Sequence, residues 1–367
     1  MKILKLLMLL VLSAPMLQGA AIDNLNTNLS STTMKVYDKA GNRLVLYTNI
    51  PGADADTVRT NRSEFYTIHI RSAQTDYEWV EVYANATRCY GRDVNLSKMT
   101  WPGFTVGGTS LFADLDGHYD MRGWTHTYAN IEMTPDSPIE VRITKKDAGW
   151  QINGTNVFQT ANAYPAHRAH KPIVEGGQVF VTIDKPAQIT IDINGQFDGF
   201  DTGKSYHDNV NSNRKYLHAL TIFANPTLES KGLTRHLPKP GGLSGGVYYI
   251  NPGATYPTVS QQSGASNIVF NPGVHNVGLA KIVLKDKKYY IPGDALVYGT
   301  LTTRGGSTAN DAGYNITIYG YGTLSGAKLP HPKTIGKEGN EPAEDEHKGI
   351  RRTWPGKSPI QIGRAHV

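Results

Sequence analysis

The sequence predicts an all-β protein, in which an antiparallel β-sandwich is followed by the first coils of a parallel β-helix. Three observations lead to this prediction. Short segments of alternating apolar and polar residues recur through the first two thirds of the chain. Gly (38 residues) and Tyr (20 residues) are abundant, a composition that favours strands joined by tight turns. Near the C-terminus, three Pro-Gly pairs recur at even spacing.

Residues 1–21 have the pattern of a signal peptide. Lys2 and Lys5 provide the positive start, the apolar run Leu6–Leu12 follows, and Gly19 precedes two alanines at a suitable cleavage site. The apolar run is short for a membrane span. We therefore expect a secreted protein, extracellular or periplasmic, with no stable membrane association after cleavage.

Cysteine content and charge exclude several classes of protein. Cys89 is the single cysteine, which excludes an intrachain disulfide and a thiolate-based zinc cluster. The formal net charge is +6, and removal of the two signal-peptide lysines leaves 6 − 2 = +4. Because the basic residues are scattered and lack interleaved aromatic residues, we expect no nucleic-acid partner.

Residues 22–225 are predicted to form the sandwich domain. Bulky apolar or β-branched residues recur there at period two, with Gly, Pro, Asn or Asp between the strands. The pair Asn194-Gly195 fits a hairpin turn, since both residues accept positive φ. The clearest strands are Lys35–Asp38, Arg43–Tyr47, Phe65–Ile70, Glu78–Tyr83, Ile139–Ile143, Gln178–Ile183 and Leu217–Pro226.

Residues 226–246 are predicted to be a linker, because prolines and clustered glycines interrupt the alternation. Residues 247–361 are then predicted to begin a β-helix. The segments Tyr248–Gly253, Ile268–Gly273 and Lys288–Gly293 echo one another, and their Pro-Gly pairs lie 272 − 252 = 20 and 292 − 272 = 20 residues apart. A coil of about 20–25 residues buries its apolar face only by stacking on its neighbours.

The segment Asn315–Gly326 reads N-I-T-I-Y-G-Y-G-T-L-S-G. It resembles the strand–turn–strand motif of polysaccharide hydrolases with right-handed β-helices. Together with Tyr289–Thr300 and the upstream sandwich, the layout resembles glycoside hydrolase family 49, the dextranase and isopullulanase group. The resemblance covers most of the mature chain in architecture and about 60 residues in motif. Because the motif is shared with pectinase-like family 28, it indicates the superfamily better than the family.

The resemblance implies a right-handed β-helix and an endo-acting hydrolase of an α-glucan such as dextran, and we expect a monomer. It also implies inverting acid–base catalysis without a cofactor or metal. Catalytic aspartates in such enzymes lie several coils further along, so we expect them beyond Val367 and expect this chain to be inactive. Residues 362–367, Ile-Gly-Arg-Ala-His-Val, are what a common sequencing adapter encodes, and we expect a truncated reading frame ending in read-through sequence.

Candidate site residues are few. A long irregular segment carries the acidic stretch Glu338–Glu346 with His347 and Trp354, for which we predict substrate contact, by ring stacking in the case of Trp354. The alternative is a solvated charged loop.

The remaining acidic and histidine motifs are interpreted as structural. We interpret Asp294 and Asp311 as turn residues. Asp114–Gly117 and Asp192–Gly195 are interpreted as ordinary turns, because both lack the remaining ligands of a calcium loop. The pair His167 and His170 has no third metal ligand in view.

Two other functions fit the same sequence. One is a β-helix hydrolase or lyase of an anionic polysaccharide, such as pectin or a sulfated algal glycan. The other is a non-catalytic adhesin or carbohydrate-binding protein. Paired carboxylates and aromatic residues on later coils would favour the α-glucan hydrolase, whereas Lys and Arg lining the groove would favour the anionic substrate.

Overall fold

The computed structural model describes residues 25–39, 41–54, 60–63, 65–73, 78–88, 105–106, 109–110, 124–146, 155–195, 217–302, 315–325, 350–351 and 361–362. The predicted signal peptide, Cys89, Asp114–Gly117 and Asp311 lie outside these residues, as do positions 363–367 of the predicted adapter-derived tail.

The sandwich consists of two sheets. The first has the order β1 (Met34–Lys39), β2 (Asn42–Tyr47), β9 (Trp124–Met133), β15 (Leu217–Pro226), β14 (Ala187–Ile193) and β11 (Ala161–Tyr164), with β6 (Ala84–Arg88) paired to β9 and β3 (Thr60–Arg62) paired to β6. The second has the order β12 (Ile173–Glu175), β13 (Gln178–Ile183), β10 (Ile139–Lys145), β4 (Tyr66–Ser72) and β5 (Val80–Val82). Strands β7 (Thr105–Val106) and β8 (Thr109–Ser110) pair as a small two-stranded antiparallel sheet.

Period-two alternation places one face of each sheet in a shared core. In β4 the buried residues Tyr66, Ile68 and Ile70 alternate with half-buried ones, and they pack with Ile131 and Ile222 of the facing sheet. The pairing of the described sandwich strands is antiparallel except for β9 with β15, which run parallel over ten residues. Because more than 80 residues separate these two strands, the chain has room to return in the same direction.

Beyond the sandwich the chain winds into coils with two parallel sheets. One sheet contains β17 (Val247–Ile250), β18 (Asn267–Phe270), β20 (Lys288–Tyr290), β22 (Thr317–Tyr319) and β25 (Gln361–Ile362), with β16 (Gly242–Ser244) antiparallel at its start. The other contains β19 (Gly273–Ile282), β21 (Ala295–Thr302), β23 (Thr323–Ser325) and β24 (Ile350–Arg351). A short helix, α1 (Val259–Ser263), lies between β17 and β18. The predicted parallel β-helix is therefore confirmed.

The even spacing of the Pro-Gly pairs arises because each pair lies at a corner of a coil and successive corners stack on one another. Asn251 and Asn271 precede successive Pro-Gly pairs, and the Asn271 Nδ2 donates to the Asn251 Oδ1 at 2.6 Å. At the next corner, the Gly273 N–H donates to the Asp294 carbonyl at 2.9 Å. Between the corners, Ile268, Tyr289 and Ile318 are register partners that fill the coil interior.

Candidate functional site

The residues for which the sequence predicts substrate contact, His347 and Trp354, lie outside the described residues, as does the acidic stretch Glu338–Glu346. Within the part of the chain that is described, no three His, Cys, Asp or Glu side chains come together where they could hold a metal ion. The described residues also include no helix with the length and apolar character that a membrane crossing requires. His170 contacts Asp184 at 2.8 Å across the sandwich surface.

Two buried acids of the described structure, Glu132 and Asp294, lie at the junction of sandwich and coils. The outer side of the first coil sheet carries a row formed by Tyr249, Val269, Tyr290 and Tyr319, which are register partners on successive coils. The Tyr290 and Tyr319 rings lie 5.1 Å apart. This row is buried against the sandwich and linker side chains Met34, Val36, Tyr47 and Leu228. The sandwich thus covers one outer side of the coil stack with apolar surface.

A coil corner inserts into the sandwich at this junction. Gly293, of the third Pro-Gly pair, lies against the Tyr47 ring so closely that an added Cβ would be 2.2 Å from the Tyr47 Cε2 atom. Along strand β21, which follows this corner, Leu296 and Tyr298 pack with Ile50 and Tyr83. The sandwich therefore contacts both the corner and the strand that follows it.

A buried ion pair joins the linker to the sandwich. Arg235 binds both carboxylate oxygens of Glu132, at 3.0 and 2.7 Å, and the two side chains are 4% and 0% exposed. The same carboxylate accepts from the Tyr47 hydroxyl and from the Leu228 N–H. Burial lowers the pKa of Arg235, but the charge of Glu132, its hydrogen bond and the nearby Tyr47 and Tyr290 together outweigh burial and raise the pKa. All lone-pair directions of Glu132 are thereby used, which is what a buried carboxylate requires.

Asp294 is a second buried acid at the junction, and its place differs from the sequence-based interpretation. Rather than serving only its own turn, it accepts a 2.5 Å hydrogen bond from the Thr33 hydroxyl of the sandwich. Its Oδ1 atom is buried without a hydrogen-bond partner. Burial raises the pKa of Asp294 to about 6, although the Thr33 hydrogen bond acts in the opposite direction. The sequence contained no signal for this, because a Pro-Gly-Asp segment is typical of any exposed turn.

Replacing Asp294 with Asn is expected to remove a pH dependence of stability. The pKa is raised from 3.8 to about 6, so the contribution of Asp294 to stability is complete below pH 3.8 and is lost as pH rises through 6. Each pKa unit corresponds to ~1.4 kcal/mol, and part of the contribution is already lost at pH 4, so wild type should lose about 2 kcal/mol relative to Asp294→Asn between pH 4 and pH 8. Urea unfolding of both proteins at these two pH values measures the difference. Equal changes in the two proteins would contradict the assignment.

A cleft of about 560 Å³ opens along the same junction. Its walls come from the sandwich (Gln188, Pro226), the linker (Lys231, Leu233) and the coils (Tyr319, Tyr321). The two tyrosine hydroxyls are occupied, since Tyr321 donates to the Pro226 carbonyl at 2.5 Å and Tyr319 to the Thr234 carbonyl at 3.0 Å. The size is within the range of small-molecule sites, and such sites often lie between domains.

The described coils do not bring two carboxyl groups together on an open face. Their acidic residues are Asp286, which is exposed on a turn and accepts from Asn315, and the buried Asp294. General acid–base hydrolysis of a glycosidic bond needs two accessible carboxyl groups facing one bond. The described junction thus positions the coils and contains no acid–base pair of this kind.

Comparisons with known proteins find likeness among solved structures alone. No family model matches the chain, and no curated protein matches it. Among solved structures, the chain is similar to Dex49A from Penicillium minioluteum, with 15% sequence identity over 81% of this chain and a TM-score of 0.47. The match covers 52% of Dex49A, so the chain spans about half the length of that protein.

Proposed function

We propose that this chain belongs to a secreted glycoside hydrolase that cleaves a polysaccharide, with an α-glucan such as dextran as its substrate. The observation that carries the proposal is the two-part layout: a β-sandwich fixed through a buried junction to the outside of a parallel coil stack. Residues Asn315–Ser325 of the segment that resembles the hydrolase motif form a corner of that stack, and Gly320 and Gly322 rest on the backbone of the preceding corner.

The proposed chemistry is inverting hydrolysis. One carboxylic acid would protonate the leaving oxygen, and a carboxylate about 6.5–9.5 Å away would activate water on the opposite side of the sugar. Since the described coils offer only one accessible acid, Asp286, the pair is assigned to residues other than those described. The role proposed for the described part is to anchor the coil stack and set the position of its first corners.

Reducing-sugar release tests this proposal. The 367-residue chain and a longer product of the same gene are incubated separately with dextran, pullulan and polygalacturonate. The proposal predicts release from dextran or pullulan by the longer product and none by the shorter chain. Oligosaccharide products of inverted anomeric configuration, read by NMR, would support the inverting mechanism.

Two outcomes would contradict the proposal. If the longer product cleaved polygalacturonate but neither glucan, the substrate would be an anionic polysaccharide. If it cleaved none of the three and its additional coils carried no paired carboxyl groups, the protein would be a non-catalytic carbohydrate-binding protein or adhesin.

A further inference from the structure

The outer face of the second sandwich sheet carries a row of side chains that the junction does not use. Ile173, Phe180, Arg142 and His69 are successive cross-strand partners on β12, β13, β10 and β4. Partners directly opposite one another in a sheet project to the same side. Because the alternate residues of β13 and β10 are buried in the sandwich core, this row lies on the side away from the core.

Trp79 lies across this row from the neighbouring strand. It directly precedes β5, at the edge of the sheet, yet its ring lies 6.1 Å from the Phe180 ring on β13. The Trp79 ring also stacks on two guanidinium groups: the Cζ atoms of Arg71 and Arg142 lie 4.5 and 4.7 Å from the ring centroid. Stacking on an aromatic face holds a guanidinium group in place. Trp79 therefore fixes two arginines on the outer face of the sheet.

The two arginines differ in their ionic partners. Arg71 binds Glu140 through its Nε atom at 2.6 Å, so its charge is balanced. Arg142 has no carboxylate partner and no hydrogen-bond acceptor among the described residues, and its shielded Nε atom is unpaired. Beside it, burial and the Arg142 charge lower the pKa of His69, and Glu81 acts more weakly in the opposite direction. The same face also carries Glu81, which pairs with Arg62, and Glu140, which pairs with Arg71. Among the described residues of this face, the Arg142 guanidinium group is thus held by Trp79 without a carboxylate partner of its own.

We propose that this face binds an acidic polysaccharide, with a carboxylate or sulfate group on Arg142 and sugar rings against the apolar side chains beside it. The planar guanidinium group matches the two oxygens of such an anion, and charge complementarity selects an anionic over a neutral chain. Ile173, which is 63% exposed, and the half-buried Phe180 and Trp79 give sugar rings an apolar surface. This face lies on the sandwich, so its binding does not depend on hydrolysis by the coils.

Binding to a matched pair of polymers tests the proposal. Dextran and dextran sulfate share one backbone and differ in charge, and isothermal titration or affinity electrophoresis at fixed salt measures both. Wild type should bind dextran sulfate more tightly than dextran, whether or not the coils also bind dextran. Arg142→Gln should weaken binding by about tenfold or more, which is the scale of one charge-assisted pair. Lys35→Gln, on β1 of the other sheet, removes the same charge and should change binding by less than about twofold.

The other possible outcomes distinguish a specific binding site at Arg142 from nonspecific electrostatic attraction to a basic protein. Equal weakening by Arg142→Gln and Lys35→Gln would overturn the proposal, because it would show diffuse electrostatic binding. Equal binding of the two polymers, or none to dextran sulfate, would also overturn it. Arg142→Lys keeps the charge without the planar fork and should bind more weakly than wild type, and thermal unfolding of each variant controls for loss of fold.

Discussion

Replacing Gly320 with Ala is expected to lower the free energy of unfolding by about 3–5 kcal/mol, the largest effect of any single methyl group added to the described coils. Gly320 has a φ of +115°, a conformation that L side chains rarely adopt. An added Cβ would lie 1.9 Å from the Ile291 carbonyl oxygen, which belongs to the preceding coil corner. Because that neighbour is backbone, the clash is relieved only by separating the two corners.

Gly253→Ala is the matched control for this prediction. Gly253 also has positive φ, at +75°, and follows the first Pro of the repeat, but an added Cβ would meet nothing within 4 Å. The Gly253→Ala variant should lose only about 1–2 kcal/mol in free energy of unfolding, which is the strain of a non-glycine residue at positive φ. Urea unfolding monitored by circular dichroism compares the two variants with wild type. Equal losses would show that strain alone matters, and that the corners do not stack as described.

The stacking of corner residues also explains why the coil repeat could be predicted from sequence. A stacked coil must return to the same position after each turn, so its corner residues recur at a fixed interval and leave a period in the sequence. Asn251 and Asn271 bond across that interval, and Gly320 is glycine because the corner below leaves no space for a side chain. Period and residue type both follow from local stacking, and the predicted strands Lys35–Asp38 and Gln178–Ile183 follow from alternation in the same way.

The junction could not be predicted by such reasoning. Glu132 and Arg235 are 103 residues apart, and each alone is typical of an exposed strand or linker. Likewise, Trp79 and Arg142 come together only through the order of strands in the second sheet. Their approach depends on tertiary packing, which leaves no period in a single sequence. Substrate contact by His347 and Trp354 remains a prediction, because both residues lie outside the described residues.

Replacing Arg235 with Met is expected to destabilise the protein by about 3–5 kcal/mol, because it leaves the Glu132 carboxylate buried without its cation. Arg235 supplies two of the hydrogen bonds to Glu132, and it also binds Glu229 at 3.1 Å. The remaining donors, the Tyr47 hydroxyl and the Leu228 N–H, are neutral. Urea unfolding of the variant measures the loss, and the midpoint should shift without a change of slope if sandwich and coils still unfold together.

The double variant Glu132→Gln, Arg235→Met distinguishes a penalty of unpaired charge from a simple loss of contact. The Glu132→Gln change keeps an acceptor for the Leu228 N–H and removes the charge, so the double variant should be more stable than Arg235→Met alone. Arg43→Met serves as the control, because Arg43 pairs with Asp38 and Glu229 at a partly exposed position and its removal should cost about 1 kcal/mol or less. If Arg43→Met and Arg235→Met cost the same, the Glu132 pair would not hold the junction together. If the double variant were the least stable of all, the attraction between Glu132 and Arg235 would outweigh the cost of burying both charges.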